Sequence, residues 1–170
     1  TIMSITFDRN TWPYSSSKSS FGLCDKPSPS MEPAYLDEEN GADWIAVIDN
    51  YYKCIAYFTG IDNQIPLLKE NGKIDSRCDG VLSYNDVIIF VELKQRAQLG
   101  SDWIVDAELQ LRTTITHFEA SEYAEHFKIK KAYAANSEHP KFRTNQSQRM
   151  DRFYNDTGYI FRIENRITLY

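Results

Sequence analysis

Two acids and a lysine, Asp79, Glu92 and Lys94, hold the most specific chemistry in this sequence. Glu92 and Lys94 close the segment Val-Ile-Ile-Phe-Val-Glu-Leu-Lys at 87–94, an otherwise apolar run that suits a strand buried on both faces. Side chains alternate along a strand, so residues 92 and 94 share one face and Leu93 takes the other. Asp79 ends the preceding extended segment, and a short polar turn at Ser83–Asp86 joins the two. The segments therefore read as neighbouring antiparallel strands that bring Asp79 beside Glu92. Carboxylates and ammonium groups are almost never buried unless paired or metal-bound, so these charges need a partner. Mg²⁺ would supply one, because it takes hard oxygen ligands, keeps several waters and is typically held by one or two carboxylates plus substrate phosphate. A lysine beside such an ion could position or help deprotonate a water, which is the minimum for phosphodiester hydrolysis. An ordinary ion pair at a strand end would use Glu92 and Lys94 in the same way. Asp79-Gly80 also reads as turn chemistry.

The elements that would position these groups follow from local pattern. Residues 9–33 are rich in Ser and Pro and predict loop. A short helix is expected over Ala34–Asp43, weakened by Gly41. Trp44–Asn50 and Cys54–Gly60 read as the two arms of a hairpin, with a helix over 44–50 as the competing reading. Asn71-Gly72 marks a tight turn between Ile65–Lys69 and Lys73–Leu82. Gly100-Ser101-Asp102 offers a helix start, and Ile104, Ala107, Leu111, Ile115 and Phe118 then recur on one helical face. Lys128–Ala135 alternates as a strand, Gln146–Asn155 reads as a helix stopped at Gly158, and Tyr159–Tyr170 supplies one or two final strands. The whole predicts one α/β domain over residues 1–170 with a central mixed sheet flanked by helices: a loop-rich segment at 1–33, a core at 34–136 and a C-terminal helix and strand at 137–170.

Composition sets outer limits. The 170 residues suffice for a core without disulfide staples. No apolar run nears the roughly 20 residues needed to cross a bilayer, and no signal peptide is expected from the first residues. Cys24, Cys54 and Cys78 are widely spaced, show no zinc pattern and fit a reducing, cytoplasmic setting. The net charge of −5 argues against a surface that binds nucleic acid throughout. Charge is nevertheless segregated, with acids gathered at 32–49 and Lys and Arg at 128–152, a segment able to lie along phosphates. Tyr51, Tyr52 and Trp103 could stack on bases, but core packing is the favoured reading.

Asp79, twelve intervening residues, then Glu92-Leu93-Lys94 at the end of a core strand resembles the signature of the PD-(D/E)xK, restriction-endonuclease-like nuclease superfamily. The resemblance covers about residues 34–136. It implies Asp79 and Glu92 as Mg²⁺ (or Mn²⁺) ligands, the Leu93 carbonyl completing the metal shell, and Lys94 as the catalytic lysine. Gln110 resembles the additional glutamine of exonuclease-like branches. The acid that members carry on their first core helix is assigned to Glu38, with Glu32 and Glu39 as neighbours. Cys78 stands where many members have proline. The implied activity is a metal-dependent deoxyribonuclease, with Arg77, Lys131, His139, Lys141 and Arg143 as the residues expected to touch DNA. A second copy of the chain or a partner protein is also compatible with the family. The alternative is a non-catalytic member acting through protein–protein contact, as an immunity or assembly subunit.

Overall fold

Two β-sheets stacked face to face, with two helices on the outer side of the larger one, build the molecule. The structure, a computed structural model, describes residues 5–27, 29–95, 102–138 and 146–170. The larger sheet contains β1 (Tyr14–Ser16), β5 (Ala56–Gly60), β6 (Gly80–Tyr84), β7 (Val87–Lys94), β8 (Ile129–Asn136) and β9 (Ile160–Arg162), in the spatial order β1-β5-β6-β7-β8-β9. Pairing is antiparallel from β1 to β7 and parallel from β7 to β9, so the expected mixed central sheet is present. The smaller sheet runs β10 (Arg166–Thr168), β4 (Ala46–Asp49), β2 (Ser20–Cys24) and β3 (Tyr35–Asp37). The helices are α1 (Asp102–Glu119) and α2 (Ser147–Thr157).

The pleat of β7 sorts the core into two layers. Ile88 and Phe90 pack with Ile104, Ala107, Leu111, Ile115 and Phe118 of α1 and with Phe153 of α2. Ile89, Val91 and Leu93 pack against Phe21, Leu23, Ile48 and Ile167 of the smaller sheet. A strand buried on both faces has to be continuously apolar, which is the pattern of 87–91. Both helices cover one face, and the second sheet covers the other in place of further helices.

The local expectations fare unevenly. The face of α1 is as predicted: all five of its periodic apolar residues are buried. Gly158 ends α2 with φ +79°, the left-handed conformation that glycine adopts without steric cost. The β6–β7 connection is tight, with Tyr84 paired to Val87 and Asn85 at φ 49°. The helix expected over Ala34–Asp43 is instead β3 followed by a 3₁₀ turn at Gly41–Asp43. Gly41 and Asn40 cap poorly, while Asp37 accepts from the Asn40 amide at 2.7 Å and from Trp44 Nε1 at 2.8 Å, which favours a turn. The predicted hairpin of 44–50 with 54–60 does not form, because β4 joins the smaller sheet and β5 the larger. The loop-rich N-terminal segment contributes two strands, β1 and β2. At Gly22 a Cβ would stand 2.0 Å from Trp44 Cγ, so the indole can cross β2 only over a glycine. Tyr51 and Tyr52 lie 72% and 74% exposed rather than in the core, whereas Trp103 is buried. At the Asn71-Gly72 turn only Gly72 takes positive φ, so the two flanking segments meet in a single bridge, Leu68 to Ile74, and not in a type I′ hairpin.

Candidate active site

Register places the central pair. Gly80 stands opposite Val91 in the antiparallel ladder, so one step further Asp79 stands opposite Glu92. The two carboxylates reinforce that step reciprocally. The Asp79 amide donates to Glu92 Oε1 at 3.0 Å, and the Leu93 amide donates to Asp79 Oδ2 at 2.7 Å. Lys94 Nζ lies 3.1 Å from Glu92 Oε2, and it donates to Gln110 Oε1 of α1 at 3.4 Å. The alternation of β7 thus delivers Glu92 and Lys94 to the α1 side. Asp79, Glu92, Leu93, Lys94 and Gln110 line one cleft of about 400 Å³ at the end of the sheet.

Burial sets the electrostatics. Glu92 is 1% exposed, and loss of water followed by the nearby Asp79 charge pushes its carboxyl well above the usual range, against the pull of Lys94. Asp79 is raised for the same leading reason, with the Glu92 and Leu93 hydrogen bonds drawing it back. Both shifts favour the protonated carboxyls, and a bound cation would offset them by supplying positive charge. The donor set suits a hard divalent ion: two carboxylates from adjacent strands, an open cleft for water, and a lysine whose hydrogen bonds hold it beside them. Among the described residues no three His, Cys, Asp or Glu side chains form a ready-made cation cluster, and a Mg²⁺-type site needs only one or two carboxylates.

Searches against protein-family models, curated proteins and solved structures match this chain to none of them.

Glu38 does not join the cleft lining. Its carboxylate accepts from Ser16 Oγ of β1 at 2.7 Å, just beyond the end of β3. With no first helix at 34–43, the element expected to carry that acid inward is missing. The cleft instead takes Asp25, immediately after β2, and Asp62, after β5. Asp25 is pushed up to about 7 by desolvation and by the Asp79 and Asp62 charges. Sequence reading missed both. Asp25 sat in a Ser- and Pro-rich stretch with no strand pattern, and nothing local tied Asp62 to residues 79–94.

A raised carboxyl binds its proton more tightly in the folded chain. Its stabilising contribution is therefore present below the unfolded value near 3.8 and is lost as pH climbs through about 7. Asp25→Asn should remove this loss and raise cation-free stability at pH 8 by on the order of 1 kcal/mol, discounted because Asp25 is partly exposed to solvent. Melting temperatures at pH 5 and 8 check it, and an unchanged difference between wild type and variant would count against the placement of Asp25.

The expected DNA contacts are scattered. Arg77 is held by Asp62 Oδ1 at 3.0 Å and by the Ile65 carbonyl at 3.0 Å, which braces the loop entering the cleft. Lys131 pairs with Ile89, five residues along β7 from Lys94, so it lies about 16 Å from the site at the usual strand rise. His139, Lys141 and Arg143 lie outside the described residues. Of the other histidines, His117 shares a 3.0 Å contact with Asp75, and His126 is exposed in a 3₁₀ turn. Lys26 is a cation of the cleft lining that sequence reading passed over, and it is paired with Glu32.

Proposed function

We propose that the protein is a Mg²⁺- or Mn²⁺-dependent nuclease of the PD-(D/E)xK type, hydrolysing phosphodiester bonds of DNA. One observation carries the reading. Asp79, Glu92, Lys94 and Gln110 come from two strands and a helix and line one cleft, with Glu92 and Lys94 in contact inside an apolar strand. In this reading Asp79 and Glu92 hold the cation, with the Leu93 peptide beside them. A divalent ion held by these residues would supply charge neutralisation at the phosphate and acidify a bound water. Lys94 Nζ positions or activates the attacking water. Gln110 Oε1 and Glu92 Oε2 fix where Nζ sits. Lys26, on the cleft lining, would meet a phosphate by exchanging its Glu32 partner for it.

The purified protein should cut linear duplex, circular or single-stranded DNA with Mg²⁺ or Mn²⁺ and not with EDTA. Asp79→Ala should lower the rate by about a thousandfold, the scale on which loss of a charge-stabilising group acts. Cleavage that survives both EDTA and Asp79→Ala would overturn the proposal. A wild-type chain that neither cuts DNA nor binds Mn²⁺, yet retains a protein partner in pull-down, would instead favour the non-catalytic reading.

A further inference from the structure

Thr114 sits on the buried face of α1 and is 0% exposed. Its hydroxyl serves two chains at once. Oγ1 accepts from the Cys78 amide at 2.8 Å and donates to the Gln110 carbonyl, one helical turn back, at 2.9 Å. Cys78 immediately precedes Asp79, and Gln110 accepts from Lys94 Nζ. One hydroxyl thus ties the backbone entering β6 to the turn of α1 that receives the lysine. A threonine in mid-helix often turns its hydroxyl back on the i−4 carbonyl. Here the same oxygen also satisfies an amide of another element. Cys78 lies at 0% exposure, and a buried amide left without an acceptor is costly. The strand end can therefore shift relative to the helix only by breaking this bond.

From this geometry we infer that Thr114 is a positioning residue. It sets the distance between helix α1 and the start of β6, and with it the alignment of Asp79 against Glu92 and Lys94. The kinetic part of the test rests on the nuclease reading; the structural part does not.

Thr114→Val keeps the shape and removes the hydroxyl, while Thr114→Ser keeps the hydroxyl. Amide hydrogen exchange on the two variants decides the inference without metal or substrate. The Asp79 and Leu93 amides are the reporters, because their acceptors are the Glu92 and Asp79 carboxylates. Thr114→Val should speed their exchange by about tenfold or more relative to amides in the middle of β7 and β8, where a local opening is not felt. Thr114→Ser should restore both to within about threefold of wild type. If Thr114→Val speeds all core amides equally, or leaves Asp79 and Leu93 protected, Thr114 is merely structural and the inference is overturned. In the cleavage assay Thr114→Val should lower kcat by about tenfold with little change in KM, and Thr114→Ser should recover it. Local exchange at Asp79 and Leu93 with no cleavage by wild type would uphold the positioning role and reject the nuclease reading alone.

Discussion

Lys94→Ala is expected to abolish metal-dependent cleavage, lowering the rate by about 10²–10⁴, while the variant still binds Mn²⁺ by calorimetry. The two halves of this result separate roles. The carboxylates that would hold the cation come from Asp79 and Glu92, and Lys94 meets them only as the partner of Glu92 Oε2 at 3.1 Å. Lys94→Arg retains the positive charge but replaces a compact ammonium with a fork whose proton is not released. It should therefore restore the stability of the alanine variant without restoring turnover. Stability should respond as well. Removing the lysine leaves Glu92, 1% exposed, without its cation. Breaking a buried ion pair by removing one partner costs roughly 3–5 kcal/mol, because the remaining charge is left uncompensated. The deficit should shrink as pH is lowered from 8 to 5, because acid favours the protonated carboxyl that burial and the Asp79 charge already promote. Full cleavage by Lys94→Ala would remove lysine from the chemistry, and a deficit equal at both pH values would contradict the placement of Glu92.

Glu92→Gln should carry the second large effect, on how stability depends on pH and on Mg²⁺. Burial and the Asp79 charge raise the Glu92 carboxyl well above its ordinary value of 4.5. The folded chain then binds that proton more tightly than the unfolded chain. Its stabilising contribution is complete below about 4.5 and is lost as pH rises through the higher folded value. Asp79 and Asp25 are shifted in the same direction and add to the trend. Cation-free wild type should therefore melt at lower temperature at pH 8 than at pH 5. Mg²⁺ at about 100 times its Kd should return about 2.7 kcal/mol by mass action. The glutamine variant has no charge to desolvate at this position. It should show a flatter pH dependence than cation-free wild type and lose both Mg²⁺ stabilisation and cleavage. Melting curves at the two pH values, with Mg²⁺ and with EDTA, give all four numbers. A wild-type melting temperature indifferent to pH and to Mg²⁺ would dispose of the paired-carboxylate description.

Local sequence determined a definite part of this protein. The apolar run of 87–94 specified a strand buried on both faces, since only such a strand has to be continuously apolar. Its two charges had to share a face because side chains alternate. The polar turn before it made Asp79 the cross-strand neighbour of Glu92, and the ladder bears this out. The apolar periodicity of 103–119 specified the helix face that meets that strand. Tertiary structure decided what no local pattern encodes. Short strands such as Ser20–Cys24 and Tyr35–Asp37 have weak intrinsic preference and exist because a second sheet offers them partners. That sheet parts Ala46–Asp49 from Ala56–Gly60, which look like a hairpin along the chain. It leaves Glu38 bonded to Ser16 and brings Asp25 to the cleft instead. The same is true of Thr114, whose second bond spans thirty-six residues. Alternation and turn length act over a few residues and are legible in order. The pairing of distant backbone edges is a property of the folded chain, and it chose which acids stand beside Asp79, Glu92 and Lys94.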